Sequence, residues 1–151
     1  MFSDQDRSFM KMALDEAQLS FNDNEVPVGA IIVKDNAVIG TGHNTVITTI
    51  NVTSHAEINA IIDASKNTNN YRLNNAKMYV TLEPCHMCAK AIIDARIDEV
   101  IFAAPEPKTG SIISIDNIYE RIKFNHKTSY KYGLLQNESS NLLKKFFKTK
   151  R

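Results

Sequence analysis

Apolar residues near the start of the chain recur at helical spacing, with Phe9, Met10, Ala13, Leu14 and Ala17 on one face up to about Phe21. Ser3, with Asp6 three places on, resembles a capping box, so the spacing predicts a first helix beginning there. Val26–Val33 is then a near-continuous apolar run, and Lys34-Asp35-Asn36 forms a polar break before Ala37-Val38-Ile39. This pattern predicts a two-stranded hairpin. Residues 43–54 are rich in Thr and Asn and have no helical period, so they read as a loop feeding a helix over about His55–Ser65.

Beyond the polar stretch Asn67–Asn75, the β-branched and aromatic run Met78–Leu82 predicts a third strand. Pro84 fits the first turn of a helix that continues through Ala91, Ile92 and Ala95 and carries Cys85 and Cys88 on one face at i, i+3. Val100–Ala104 is wholly apolar, as expected of a strand buried on both faces, and Pro105, Pro107 and Gly110 mark a loop after it. A short helix near Ser114–Arg121, a weak strand near Thr128–Tyr132 and a final helix with Leu142, Leu143, Phe146 and Phe147 complete the pattern. Strands alternating with helices imply an α/β layer fold whose later strands run parallel. With 151 residues and no linker or repeat, one domain over 1–151 is expected.

Composition narrows the function classes without choosing one. A hydrophobic content of 43% with 23% charged residues describes an ordinary globular chain. The formal charge of +1 gives no overall electrostatic footprint for nucleic acid, leaving the local cluster Lys144, Lys145, Lys148, Lys150 and Arg151, which suits either phosphates or the end of a helix dipole. No apolar stretch approaches the ~20 residues that span a bilayer, and Met1-Phe2-Ser3-Asp4 does not read as the start of a signal peptide. A cytoplasmic protein with no membrane partner is therefore expected. Two cysteines spaced C-x-x-C point to metal or redox chemistry rather than a disulfide framework.

His55-Ala56-Glu57 and Pro84-Cys85-His86-Met87-Cys88 each stand where a loop or strand enters a helix. One imidazole and two thiolates suit a catalytic zinc ion, one per chain, whose fourth position is left for water. Helix N-termini favour anionic sulfur, which ligation requires. Glu57, a carboxylate beside such a centre and not a ligand, suits proton transfer. His86 points about 100° away from Cys85 on a helix and is left out of the ligand set. Taken alone, the C-x-x-C could be a redox pair, His55 structural, and Glu57 a dipole-favoured first-turn acid; together they match the H-x-E and P-C-x-x-C signature of zinc-dependent deaminases.

Further segments extend the match in order along nearly the whole chain: Glu25-Val26-Pro27-Val28-Gly29-Ala30, Gly42-His43-Asn44, Tyr71-Arg72-Leu73, Tyr79–Cys85, Lys108-Thr109-Gly110 and Phe146-Phe147. On these the chain resembles the bacterial tRNA-specific adenosine deaminases. The resemblance implies a three-layer α/β/α sandwich with a five-stranded mixed sheet, a homodimer, and a tRNA anticodon stem-loop as partner. It implies hydrolysis of the wobble adenosine to inosine, with zinc-bound hydroxide attacking C6 and Glu57 shuttling protons. Substrate contacts are expected from Asn44, Val28, Ala30, Ala56, Glu106 and Phe146. Asn44 also suits an Asx turn, while Val28, Ala30 and one of the Phe146-Phe147 pair also suit the core. Departures from the family pattern fall at Thr45-Val46-Ile47, which lacks a basic residue, and at Asn51-Val52, Lys90 and Glu106, positions placed to bear on substrate preference. A deaminase of a free base or nucleotide (guanine, cytosine or deoxycytidylate) would share the same zinc site.

Overall fold

The computed structural model describes residues 1–150; Arg151, the last of the expected basic cluster, lies outside the described residues. The first helix, α1 (Asp4–Asn22), begins at the expected capping box: Ser3 Oγ accepts from the Asp6 amide while the Asp6 carboxylate accepts from the Ser3 amide. The hairpin follows as β1 (Gly29–Lys34) and β2 (Ala37–His43). Its two connecting residues, Asp35 and Asn36, have φ of 52° and 62°, the left-handed pair that a tight two-residue hairpin turn demands. Val26–Val28 of the apolar run stay outside the strand and lead into it along the mouth of a cavity.

The remaining elements are α2 (Val46–Thr49), α3 (Ala56–Thr68), β3 (Ala76–Leu82), α4 (His86–Asp94), β4 (Glu99–Ala104), α5 (Ile118–Arg121), β5 (Ser129–Tyr132) and α6 (Gln136–Lys148). Two details differ from the sequence pattern. The expected loop 43–54 contains a single helical turn, α2, and Pro84 precedes α4 rather than occupying its first turn, because Cys85 is itself the extended N-cap.

The five strands lie in the order β2-β1-β3-β4-β5; β1 is antiparallel to both neighbours and β3, β4 and β5 run parallel, so the sheet is mixed as expected. Strand alternation divides the core. Ala30, Ile32, Met78, Val80, Val100 and Phe102 face α3 and α4, which offer Ala56, Ala60, Ala64, Ala89, Ile92 and Ile93. Ile31, Val33, Tyr79, Ile101 and Ala103 face the other way, toward Met10 and Ala13 of α1 and Leu134 before α6. Layers of helix, sheet and helix result.

The alanine face of α3 lets that helix press directly on β2. A Cβ on Gly42 would stand 2.4 Å from the Ala60 amide nitrogen, so only glycine permits the approach. That contact fixes the start of α3, and with it His55 and Glu57, over the end of the sheet where β1 begins and β3 ends.

Candidate active site

His55 and Cys85 occupy equivalent places, each an N-cap with extended backbone, at the starts of α3 and α4. Both helices begin at the same edge of the sheet, so two motifs 30 residues apart converge. His55 Nδ1 lies 3.6 Å from Cys85 Sγ and 3.5 Å from Cys88 Sγ, and the three donor atoms fall within 4.8 Å of one another. Zinc bonds of about 2.0–2.1 Å to nitrogen and 2.3 Å to sulfur, opened at a tetrahedral angle, place those atoms ~3.6 Å apart. The donor set therefore fits a zinc ion in both chemistry and spacing. His86 turns outward, as expected, and bonds Asp116 at 2.8 Å.

The electrostatics agree. A hydrogen bond from Cys88, reinforced by His55, brings the Cys85 thiol down to about 4, while the same bond together with burial pushes Cys88 well above the ordinary thiol range. Ligation of a metal by both sulfurs requires them as thiolates, so binding releases thiol protons. The bond to Cys85 raises His55. Glu57, in the first turn of α3 and only 4% exposed, has its carboxyl pushed up to about 7 by burial, with the charge of Cys85 adding to the effect.

His55, Glu57 and Cys85 form the floor of a cavity of about 430 Å³ whose walls include Val26, Val28, Asn44, Ala56, Leu82 and Glu106, with Cys88 buried behind them. Asn44 is held at both ends of its amide: Nδ2 donates to the Val26 carbonyl at 3.2 Å and Oδ1 accepts from the Val46 amide at 3.3 Å. One N–H and one lone pair remain for a ligand. Glu106 reaches the cavity too, with Oε1 accepting from the Lys108 amide at 2.9 Å.

Two expected contact residues lie elsewhere. Ala30 is fully buried one residue into β1, paired with Gly42 and Val80 beneath the cavity lining, so its depth in the sheet removes it from the pocket. Phe146 is 5% exposed, in T-shaped pairs with Phe21 and Phe147 and with the Lys150 ammonium 5.0 Å from its ring centre, so the structure places it among packed side chains. Phe147, 49% exposed, lies instead beside Lys108, Lys144 and Lys148 along a surface groove. Among the departures, Asn51 makes an Asx turn by accepting from the Thr53 amide and hydroxyl, and Lys90 pairs with Asp94 at 2.6 Å.

Two acids without an expected role also line the cavity. Glu25 and Glu83 are 1% and 3% exposed, and both accept backbone N–H bonds from the cavity's rim. The sequence signal was available: an acid set against an apolar strand must find several donors once buried.

A mixed sheet that brings an imidazole, two thiols and a buried acid together at one cavity defines a zinc-dependent deaminase. Residues 3–104 match the cytidine and deoxycytidylate deaminase zinc-binding region. The tRNA-specific adenosine deaminase of Aquifex aeolicus is 44% identical over 140 residues, covering 93% of this chain and 92% of that protein. The tRNA-specific adenosine deaminase of Buchnera aphidicola subsp. Schizaphis graminum is 41% identical, covering 100% and 99%. A solved structure from biochemical and structural studies of A-to-I editing by tRNA:A34 deaminases at the wobble position of transfer RNA superposes with a TM-score of 0.86 at 38% identity, covering 89% of this chain and 98% of that one. The chain belongs to the tRNA-specific adenosine deaminase family.

Proposed function

We propose that the protein hydrolyses the wobble adenosine of a tRNA anticodon to inosine, using His55, Cys85 and Cys88 as zinc ligands and Glu57 as proton carrier. The observation that carries the reading is the three-donor cluster at zinc spacing beside a buried Glu57. Full-length similarity to tRNA-acting relatives selects the substrate.

When bound, zinc supplies the Lewis acidity that makes water a usable nucleophile near neutral pH. The chain's own groups do the rest. Glu57, with its carboxyl near 7, takes a proton from the attacking water and returns it to N1 of adenine as the new C–O bond forms at C6. Glu57 then moves the proton of the new C6 hydroxyl to the amino group, the C6–N bond breaks as the C6 carbonyl forms, and ammonia leaves. Water and adenosine thus give inosine and ammonia. Val28, Leu82 and Ala56 flank the base and exclude bulk water, and the free N–H and lone pair of Asn44 orient it. Glu106 stands to accept from a ribose 2′-OH, the group that separates RNA from DNA.

A cavity of about 430 Å³ suits one base, so the target must swing out of its strand. An anticodon loop meets that need because its bases are already unpaired. Lys108, Lys144, Lys148 and Phe147 border a groove suited to the remaining nucleotides, with phosphate contacts that weaken as salt rises. The working form in this reading is a cytoplasmic homodimer, whose second copy would cover apolar side chains left bare at Ile50, Val52 and Ile62. No described helix is long and apolar enough to cross a membrane.

The deciding experiment offers the zinc-loaded protein adenine, adenosine, cytosine, cytidine, deoxycytidylate, guanine and an anticodon stem-loop, and measures ammonia and inosine. Only the stem-loop should react well, and moving its adenosine out of the wobble position should abolish reaction. Efficient turnover of a free base or mononucleotide, with no inosine in the stem-loop, would overturn the tRNA reading.

A further inference from the structure

We propose that Glu83 is a positioning residue, which fastens the rim segment 106–114 so that this rim can grip the nucleotides flanking the target base. The inference rests on reading the cavity as a nucleotide site and concerns a residue to which that reading gives no task.

Glu83 ends the β3 edge of the cavity, two residues before the metal ligand Cys85. Its Oε2 accepts the amide N–H groups of Ile112 at 3.0 Å, Ile113 at 2.8 Å and Ser114 at 3.1 Å. Its Oε1 accepts the Glu106 amide at 3.0 Å and the Ser114 hydroxyl. Among the described residues no Lys, Arg or His forms an ion pair with it, so the charge of a nearly buried carboxylate is met by one loop alone. These bonds hold the Glu83 carboxyl below the usual carboxylate range against the opposing effect of burial.

The loop they capture has turns but neither helix nor strand through residue 114, and it carries Glu106 and Thr109 into the cavity wall. A second fastening lies alongside. The Ser111 amide and hydroxyl both donate to the Pro84 carbonyl, at 3.0 and 2.9 Å. Gly110 permits the close approach, since a Cβ there would stand 2.3 Å from the Glu83 carboxyl carbon.

The rim is therefore tied to the reacting centre mainly by one side chain, two residues along the chain from a metal ligand, with Ser111 on the Pro84 carbonyl beside it. Five donors fill the oxygens of Glu83, which leaves it no part in proton transfer and separates it from Glu57. Loss of the clamp should loosen the grip on flanking nucleotides while leaving the chemical step intact, raising KM and sparing kcat.

The test compares full-length, zinc-loaded wild type with Glu83→Gln, which keeps the shape but turns an amide NH2 toward N–H donors. Hydrogen exchange of the amides of residues 106 and 112–114 should quicken at least about tenfold, zinc should stay at one per chain, and KM for the anticodon stem-loop should rise about tenfold with kcat within about threefold. Glu83→Asp, which keeps the charge, should recover part of the KM. Ser114→Ala removes a single donor and should raise KM about two- to threefold, so the idea stays testable if Glu83→Gln does not fold. A fall in kcat at unchanged KM, unaltered exchange with unaltered KM, or a neutral Ser114→Ala beside an unfolded Glu83→Gln would overturn the proposal. If the wild type made no inosine in the stem-loop, the substrate reading would fail and the exchange arm would still decide the clamp.

Discussion

The floor of the cavity and its rim are held by opposite means. At the floor, His55, Glu57, Cys85 and Cys88 stand on the first turns of two helices whose small and apolar faces are buried against the sheet, so regular helix packing holds the backbone there. At the rim, the segments 45–54 and 105–114 contribute no long helix or strand, and two acids take hold of their backbone amides. Glu25 accepts from Ile47 at 3.1 Å and Thr48 at 2.6 Å, and Glu83 accepts from the other side. A reacting centre built this way tolerates little change of residue type, whereas the rim depends on where its backbone runs. Chemistry and substrate grip are thereby separated within one pocket.

The harshest test of the separation removes the floor's metal. A Cys85→Ala, Cys88→Ala double variant should contain no zinc by metal analysis and show no measurable turnover; zinc at one per chain would break the assignment of ligands. Glu57→Ala should keep its zinc and its circular dichroism yet lose about 10²–10⁴-fold or more in turnover, because the same carboxyl serves two proton transfers. Glu57→Gln should match it. Near-normal turnover in either variant would remove the proton-carrier role.

Acid provides a milder test, directed at the rim. Glu83 is held below its ordinary range in the fold, so its contribution to stability is present above the unfolded carboxylate pKa of about 4.3 and is lost as pH falls through the lower, folded value. Melting of the wild type should thus decline more steeply between pH 5 and about pH 3 than melting of Glu83→Gln. Parallel curves would show that the rim is not held by this charge. The smallest effect concerns Glu106: its replacement by alanine should cost RNA hairpins about two- to tenfold in kcat/KM and DNA hairpins almost nothing, the size of one hydrogen bond. Equal losses toward both would remove the 2′-OH contact.

The same division explains what could be read from the sequence. The capping box at Ser3 and Asp6, the hairpin turn at Asp35-Asn36 and the strand-helix alternation are local signals, and the structure carries each one. His55, Glu57, Cys85 and Cys88 are legible because zinc chemistry needs those residue types at short spacing. The turn α2, by contrast, has no side-chain cap of its own and exists because Glu25, more than 20 residues earlier, receives its first amides. Pairings across 22 to 31 residues leave no periodicity to find. For Ala30, alternation reports which face a strand residue takes, not how deep it sits. Phe146 and Phe147 share one helix turn, and only the packing of Phe21 decides which of them is covered.

Four of the five donors to Glu83 are amide hydrogens, at positions 106, 112, 113 and 114, and only the Ser114 hydroxyl is a side-chain donor. Only proline, which has no amide hydrogen, is barred at all four. Ile112 is fully buried in the core and has to stay apolar, whereas a library randomised at 106 should yield folded, zinc-bearing clones with most residues other than proline. On the proposed reading, the rim could change in composition at such a position without disturbing the zinc centre.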